Sequence, residues 1–308
     1  MALVLLNPHA RSGRARALAD ALQRELSRLD ASARLEMPAN VSDAHALIAQ
    51  QPRGARIVVV GGDGTLHQLL PALLAGGHET ALVPAGSGDD SARALGLRGL
   101  ALPQALAHAL TAPSHAVDVG QVQTEHAQRP FFSSLCAGFD AAVAQRALNG
   151  PRWLGGRLRY LLATLRQVSS LRLYDIRITV DGLAPYSGSA LFVSTLNTPS
   201  YGGGLPAVPT ARIDDGRLNL LLAGRFGRAA TLAMLPRLMA GRHLGHAQVR
   251  CLPFSRLHIE AAAALPLAAD GEAMLDARHI ELRVLPAALR VVTRDITHLS
   301  APGRNRER

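Results

Sequence analysis

A glycine-rich segment with a single acid is the part of this sequence best suited to chemistry. Residues 61–65 read Gly-Gly-Asp-Gly-Thr and directly follow a β-branched run at 57–60. Such a run predicts a buried strand, and glycines let the main chain approach a ligand. We expect a helix to begin next, capped by Thr65, so that N–H groups and the helix dipole bind phosphate. Asp63 would repel phosphate unless a cation lay between them, which favours a nucleotide with a divalent metal over a plain tight turn.

A second glycine-rich segment follows the next predicted strand. It reads Gly86, Ser87, Gly88, Asp89 and Asp90 in order. Its glycines again permit close approach of the main chain, Ser87 adds a hydroxyl, and Asp89 or Asp90 can cap the next helix. Both segments follow strand ends, where open α/β sheets bind ligands. The sequence therefore predicts two loops that converge on one crevice, although neither has the P-loop or dinucleotide-fingerprint spacing.

Three further places carry candidate residues. Asn7 ends the first apolar run and can contact a nucleotide, but Asn-Pro is also common turn chemistry. Glycines at 202–204 indicate a loop that approaches something closely. Asp215, with neighbouring carbonyl groups, offers the oxygen ligands that magnesium prefers, or is an ordinary turn acid. Asp270 and Glu272 flank a glycine, so they can supply a general base and its electrostatic partner, or form an Asp-Gly turn beside a chance glutamate.

The elements that must position these residues fall into two groups. Alternating strands and helices are predicted at 2–7, 15–29, 43–51, 57–60, 65–75, 81–86, 91–97 and 102–112. That order predicts an α/β layer with a largely parallel sheet. Short strands and Asp-Gly turns then predict an all-β sandwich with helical interruptions at 151–170 and 228–240. The predicted fold class is α/β plus all-β, with domains at 1–115 and 116–289 and a chain end, 290–308, that could return to the first domain.

Composition narrows the class of partner. The 308 residues carry a net charge of +10, so an anionic partner is expected. Aromatic residues are only 4% and do not alternate with basic ones, which favours lipid head groups or nucleotide over nucleic acid, although genomic bias towards arginine would also explain the charge. Cys136 and Cys251 lack metal or disulfide spacing. No apolar stretch reaches the length of a membrane span. We expect a cytoplasmic protein that reaches the inner face of the membrane peripherally.

One segment of the second domain combines leucines and arginines at helical spacing. The leucines are Leu154, Leu158, Leu161, Leu162 and Leu165, and the arginines are Arg152, Arg157, Arg159, Arg166 and Arg172. An apolar stripe with arginines beside it suits a helix that lies on an anionic bilayer, and Trp153 at its start favours an interface. The alternative is that the leucines pack on the β domain while the arginines face water.

Several motifs together resemble one family. In order they are NPHARSG, VVVGGDGT, PAGSGDD, CAGFDA, NTPSYGGG, ARIDDG and DGE. This series resembles the diacylglycerol kinase catalytic-domain family, which includes sphingosine kinases and bacterial YegS-like lipid kinases, and it spans residues 7 to 272. The resemblance implies an ATP- and magnesium-dependent kinase with a nucleotide domain, a lipid-binding β-sandwich and an active site between them. The implied reaction transfers the γ-phosphate to a hydroxyl of a diacylglycerol-like or sphingoid-like lipid.

The resemblance also assigns roles to individual residues. The residues expected to contact ATP are Asn7, Gly61, Gly62, Asp63, Gly64, Thr65, Gly86, Ser87, Gly88 and Asp90. Glu272 is the expected proton acceptor, and Asp270 and Asp63 complete the catalytic set. A structural magnesium is expected at Asp215, with the main chain near Arg212 and Arg217.

Departures from the family pattern keep two alternatives open. His67 and Gln68 stand where Asn-Glu is usual, Asp89 replaces asparagine, and Ser91 replaces an aromatic residue. A non-catalytic relative that binds lipid or nucleotide would explain these changes. NAD kinase shares the Gly-Gly-Asp-Gly loop and a similar two-domain plan, but it would not require the second glycine loop together with Asp-Gly-Glu. The sequence leaves the lipid acceptor undetermined, and a homodimer is compatible with it.

Overall fold

The computed structural model describes residues 2–8, 15–29, 32–86, 89–151, 154 and 156–294, except for the side chains of 15, 16, 156 and 157. Hydrogen-bonded strands form one sheet of 14 strands, parallel at one end and antiparallel elsewhere. No helix in these ranges is both long and apolar enough to cross a bilayer. The predicted stripe residues Arg152 and Trp153 lie outside the described residues, as do Ser87 and Gly88.

The first unit alternates strands and helices, as predicted. Its elements are β1 (Leu3–Leu6), α1 (Ala15–Leu29), β2 (Arg34–Glu36), α2 (Val41–Ala49), β3 (Arg56–Gly61), α3 (Asp63–Gly76), β4 (Glu79–Pro84), α4 (Asp90–Ala94) and α5 (Leu102–Thr111). The strands pair in parallel in the order β2-β1-β3-β4. The β-branched run 57–60 is fully buried, because helices cover both faces of a parallel sheet.

The second unit is mainly antiparallel. Its elements are β5 (Ser114–Thr124), β6 (Gln128–Phe131), β7 (Ser134–Gly138), α6 (Phe139–Leu148), α7 (Gly156–Val168), β8 (Tyr174–Val180), β9 (Tyr186–Ala190), β10 (Phe192–Leu196), β11 (Leu218–Ala223), α8 (Arg228–Met239), β12 (Val249–Phe254), β13 (Arg256–Ala269) and β14 (Glu272–Val292). Helices α7 and α8 lie at the two predicted interruptions.

Helix α6 is absent from the sequence prediction, which is wrong there. The apolar run before it predicts a strand that continues to Phe139, but the chain turns at Gly138 with φ of +93° and the helix begins at the next residue. Its buried face includes Val143 and Ala147, which pack below β10 and β13. Because buried residues lie on most of its surface, the helix lacks the amphipathic pattern by which a helix is recognised from sequence.

The long last strand ties the two units together. β14 pairs with β13 and β5, and its end at Arg290 and Val291 then pairs in parallel with β4. Polar side chains cross the same junction: Glu79 on β4 accepts hydrogen bonds from Arg56 at 2.8 Å and from the Ser114 hydroxyl at 2.7 Å. These hydrogen bonds lower the pKa of Glu79, and the bond from Ser114 has the larger effect. The cleft between the units is therefore bounded by a shared sheet.

Candidate active site

The two glycine loops meet at the ends of β3 and β4. A Cβ on Gly86 would lie 2.6 Å from the Cα of Gly62, and a Cβ on Gly62 would lie 2.9 Å from the Cα of Gly86. Distances below about 3 Å are steric clashes, so only glycines permit this crossing. The N–H of Ala85 also donates to the carbonyl of Gly61 at 2.9 Å. The predicted convergence of the two loops is confirmed for the described part of the second loop.

Asp63 fastens one loop to the other. Its carboxylate accepts hydrogen bonds from the main-chain N–H of Asp90 at 3.1 Å and of Ser91 at 2.8 Å. The acid thus satisfies the first N–H groups of α4, which would otherwise lack partners. The sequence places Asp63 in a loop, whereas the structure places it in the first turn of α3. That helix follows Gly62 in the N-cap position.

Thr65 is not the helix cap that the sequence predicts. It lies inside the first turn of α3, and Gly62 occupies the N-cap position without a side-chain hydrogen bond. The hydroxyl oxygen of Thr65 instead accepts a hydrogen bond from the side-chain amide of Asn7 at 2.7 Å. A Cβ on Gly61 would clash with the same threonine side chain. Asn7, Gly61 and Thr65 therefore form one side of the predicted phosphate loop, residues 61–65.

Asp90 joins the two units across the cleft. Its carboxylate accepts the N–H of Gly203 at 2.7 Å and the Ser200 hydroxyl at 3.2 Å. All three glycines at 202–204 have positive φ, which explains the glycine run. The N–H of Gly203 bonds to this carboxylate, whereas Gly202 lies against the ring of Tyr160 and Gly204 against the guanidinium of Arg93. Burial raises the pKa of Asp90 to about 6, although these hydrogen bonds oppose the shift. The contacts that join the two units therefore bury Asp90 where its ionised form is poorly solvated.

Asp270 is held by protein donors on both carboxylate oxygens. It accepts the N–H groups of Phe132, Ser133 and Ser134 at 2.9, 2.6 and 3.0 Å. The Nδ1 of His67 lies 2.9 Å from its Oδ2. The residue itself has φ of +49° in the tight turn between β13 and β14. A carboxylate engaged in this way fixes the turn that carries the next acid.

Glu272 projects from that turn towards the phosphate loop. A Cβ on Gly64 would lie 2.6 Å from its Oε1, so the carboxylate lies against the first turn of α3. Both residues line a cleft of about 460 Å³ between the two units. The cleft also contains Asn7, Gly61, Gly62, Asp63, Thr65, Gly86, Asp90, Arg159, Tyr160, Tyr201, Gly203 and Asp270. The structure thus brings together the described residues of the predicted ATP and catalytic sets.

An apolar cavity of about 140 Å³ adjoins the cleft. It lies under α7 and α8, and the rings of Tyr160 and Tyr201 line both spaces. The buried carboxylate of Asp140 also lines it and accepts hydrogen bonds from the hydroxyls of Tyr201 at 2.7 Å and Ser194 at 3.0 Å. Burial raises the pKa of Asp140 to about 6. Asp140 is not among the site residues predicted from the sequence, although an acid inside the apolar motif CAGFDA was a detectable signal.

The predicted magnesium loop adjoins a second buried acid that the sequence analysis also missed. Asp118 accepts the N–H of Gly216 at 2.7 Å and of Ala287 at 2.8 Å. Asp215 accepts the N–H of Arg217 at 3.0 Å, and desolvation, followed by the charge of Asp118, raises its pKa. A divalent cation beside these two carboxylates would favour the ionised form of Asp215.

Side chains alone do not complete a metal site in the described ranges, where no group of three or more acids, histidines or cysteines is placed to hold a metal. Magnesium at Asp215 would need main-chain carbonyls and water as its remaining ligands, which is its usual preference. Arg212 could contribute only through its main-chain carbonyl, because a guanidinium has no acceptor atom; its side chain pairs with Asp214 at 3.2 Å. The donor set fits magnesium on these terms.

Comparison with known proteins identifies the family to which this architecture belongs. Residues 1–122 match the diacylglycerol kinase catalytic domain, and residues 133–293 match the YegS C-terminal NAD kinase beta sandwich-like domain. A diacylglycerol kinase of Mycobacterium tuberculosis is 31% identical over 250 residues, which cover 80% of each chain. The chain belongs to the diacylglycerol kinase family. A probable YegS-like lipid kinase of Pseudomonas aeruginosa is also 31% identical, over 77% of this chain and 76% of its own.

Solved structures share the fold of this family member. A putative diacylglycerol kinase from Bacillus anthracis str. Sterne superposes with a TM-score of 0.78 at 20% identity, over 95% of this chain and 97% of its own. An NAD kinase from Archaeoglobus fulgidus in complex with ATP gives 0.54 at 12% identity, over 96% and 95%. At these identities the likeness concerns the fold alone. The predicted class, α/β plus a β-sandwich, is confirmed.

The buried acid of the apolar cavity generates a prediction about stability. Its folded pKa of about 6 lies above the ordinary value of 3.8, so ionisation destabilises the folded state, and the free energy of unfolding falls as pH rises through this range. Asp140→Asn keeps an acceptor but cannot ionise. Relative to wild type, we expect it to gain about 1.4 kcal/mol between pH 5 and pH 8 in urea unfolding.

The matched control is Asp175→Asn, which changes an exposed acid on β8. Its difference from wild type should stay constant between the two pH values. If Asp140→Asn showed the same constant difference, Asp140 would not be a group with a raised pKa, and its carboxylate would not be buried as described.

Proposed function

We propose that this protein is an ATP-dependent kinase that transfers the γ-phosphate of ATP to the hydroxyl group of a diacylglycerol-like or sphingoid-like membrane lipid. The observation that carries the proposal is the carboxylate of Glu272 against Gly64 of the phosphate loop, in a cleft that adjoins an apolar cavity. Family membership supports a lipid kinase, and this geometry supports the particular reaction. An acid and the predicted phosphate loop thus line the same cleft, and a space for apolar chains opens beside that cleft at Tyr160 and Tyr201.

The proposed chemistry assigns one step to each group. Glu272 accepts the proton of the lipid hydroxyl while its oxygen attacks the γ-phosphorus, and the bond to the β–γ bridging oxygen breaks to release ADP. The N–H groups of the loop at 61–65 stabilise charge on the phosphates. A divalent cation bound with ATP would neutralise further negative charge. Asp63 keeps a second lone pair on each oxygen beyond its two N–H bonds, so it remains able to face such a cation.

Replacing Glu272, the proposed general base, tests the proposal directly. Glu272→Gln keeps the size of the side chain but removes the basic carboxylate, so we expect kcat to fall by roughly two to four orders of magnitude. The assay uses labelled ATP with total bacterial lipid extract, purified diacylglycerol, sphingosine and, separately, NAD. The labelled product is identified by mass spectrometry.

Glu260→Gln, an exposed acid on β13, is the matched control and should keep the wild-type rate. An unchanged kcat with a raised KM for ATP in Glu272→Gln would make the residue a nucleotide contact rather than the base. Labelling of NAD with no labelled lipid would replace the proposed function by an NAD kinase activity.

We also propose that magnesium binds at Asp215 and stabilises the loop at 212–217. Because a ligand that binds only the folded state raises stability, magnesium should raise the Tm of the wild type. Asp215→Ala should lower both the Tm and the rate of phosphorylation, with partial rescue by excess magnesium, and Asp214→Asn is the control. Differential scanning fluorimetry across a magnesium titration measures this. A rise in Tm as large in Asp215→Ala as in the wild type would contradict the site.

The helix pair over the apolar cavity supports peripheral contact with a membrane. Leu158 and Leu165 on α7 are 59% and 49% exposed, and Leu232 and Met239 on α8 are also exposed. Within α7 the buried face consists instead of Tyr160 and its neighbours, so the predicted leucine stripe is divided between solvent and protein. Arg159, predicted to flank the stripe, lines the catalytic cleft. We propose that the exposed leucines enter an anionic bilayer.

Vesicle co-sedimentation tests this contact. Wild type should bind phosphatidylglycerol vesicles more strongly than phosphatidylcholine vesicles, because basic groups near the surface are attracted to anionic lipid. Leu158→Asp with Leu165→Asp should reduce binding several-fold, as each change removes apolar area from the bilayer. Leu275→Asp, at a leucine that is 70% exposed on β14, is the matched control. Equal loss in both variants would show that α7 has no special role.

A further inference from the structure

His67 connects the helix of the phosphate loop to the turn of the proposed base. It lies on α3, and its Nδ1 is 2.9 Å from Oδ2 of Asp270. The side chains of His67 and Asp270 are only 7% and 2% exposed. The two residues are 203 positions apart in the chain. We infer that His67 is a positioning residue, which holds Glu272 in register with the phosphate loop through Asp270. This inference rests on the proposed function.

The geometry makes this a two-point contact. Gly64 and His67 are three residues apart on α3 and therefore lie on the same face of the helix. Glu272 lies against Gly64, while Asp270 bonds to His67. The two acids are themselves separated by a single glycine. A shift of the turn along the helix would break the hydrogen bond and move the base at the same time.

Asp270 gives the contact its rigidity. Three main-chain N–H groups at 132–134 anchor its carboxylate to the second unit, and its own N–H donates to the carbonyl of Ser134 at 2.8 Å. His67 provides the side-chain donor from the first unit. Without it, a buried carboxylate would lose one of its compensating hydrogen bonds, and the turn would lose one of its two contacts with α3. The histidine therefore connects two otherwise separate anchors.

Charges around the imidazole favour its protonated form. Burial lowers the pKa of His67, but the hydrogen bond and charge of Asp270, with a smaller effect of Glu272, outweigh burial and the opposing charge of Arg129. The net shift is upward, so the charge-assisted form of the bond is present below this raised pKa and is lost as pH rises through it. An asparagine at this position could donate a hydrogen bond but could not change its charge.

The test compares two replacements at one position. His67→Phe removes the donor, and we expect kcat to fall about ten- to hundredfold while KM for ATP changes less than twofold, since a small displacement of a catalytic group has effects of this size. His67→Asn should restore most of the rate. Wild-type kcat should decline several-fold from pH 6.5 to 8.5, and that decline should be absent in His67→Asn.

His45→Asn is the matched control. His45 lies on α2 and contacts the carbonyl of Gln68, next to His67, without touching Asp270. Its rate and pH profile should equal those of the wild type. Wild-type kcat in His67→Phe, or a wild-type pH profile in His67→Asn, would overturn the inference.

A readout independent of turnover separates this inference from the proposed function. Imidazole signals of wild type, assigned with His67→Asn, are titrated by NMR. A His67 pKa above the ordinary histidine value that falls in Asp270→Asn supports the contact, and an ordinary or lowered wild-type pKa overturns it. Absence of lipid phosphorylation by wild type would defeat the proposed function alone, whereas active wild type with an unaffected His67→Phe would defeat only the positioning role.

Discussion

Carboxylates that accept main-chain N–H groups from distant segments are the interaction on which this structure depends. Asp63 binds the start of α4, Asp90 binds the glycine loop at 202–204, and Asp118 binds the chain near 216 and 287. Asp270 binds the connection between β6 and β7. A desolvated carboxylate is costly unless donors surround it, and a buried N–H is costly without an acceptor. Each acid therefore satisfies main-chain N–H groups at a helix start, a loop, a turn or a strand irregularity.

This arrangement makes the cleft acidic within a basic protein. The chain carries a net charge of +10, yet the described lining includes Asp63, Asp90, Asp270 and Glu272 but only Arg159 as a lysine or arginine. Under the proposed function, the described lining therefore offers phosphate few cationic side chains. The contacts it does offer are N–H groups at the start of α3, together with cations that would accompany the nucleotide. The same reasoning explains why Asp63 could coexist with a phosphate loop, since its charge is partly compensated by two protein donors.

Local patterns in the sequence predicted many of the helices, strands and glycine-rich turns. They did not predict which residues far apart in the chain form hydrogen bonds with each other. The glycine-rich junction between β3 and α3 and the parallel sheet follow from glycine spacing and β-branched runs, which act over a few residues. Thr65 was predicted as a helix cap, but its hydroxyl oxygen instead accepts a hydrogen bond from Asn7, which lies 58 positions away. Asp118 gave no signal because its partners are main-chain groups 98 and 169 positions away. The family resemblance supplied the roles of Asp270 and Glu272, but not the hydrogen bond to His67.

Two tyrosines lie between the polar cleft and the apolar cavity. Tyr160 and Tyr201 pack edge to face with ring centroids 5.9 Å apart, and each contributes to both the cleft and the apolar cavity. Under the proposed function, a lipid whose hydroxyl reached Glu272 would pass its chains beside these rings. Asp140 accepts the Tyr201 hydroxyl, so the ring orientation depends on a buried acid. Because aromatic rings are apolar on their faces and polar at the hydroxyl, this wall can contact both parts of one amphiphilic molecule.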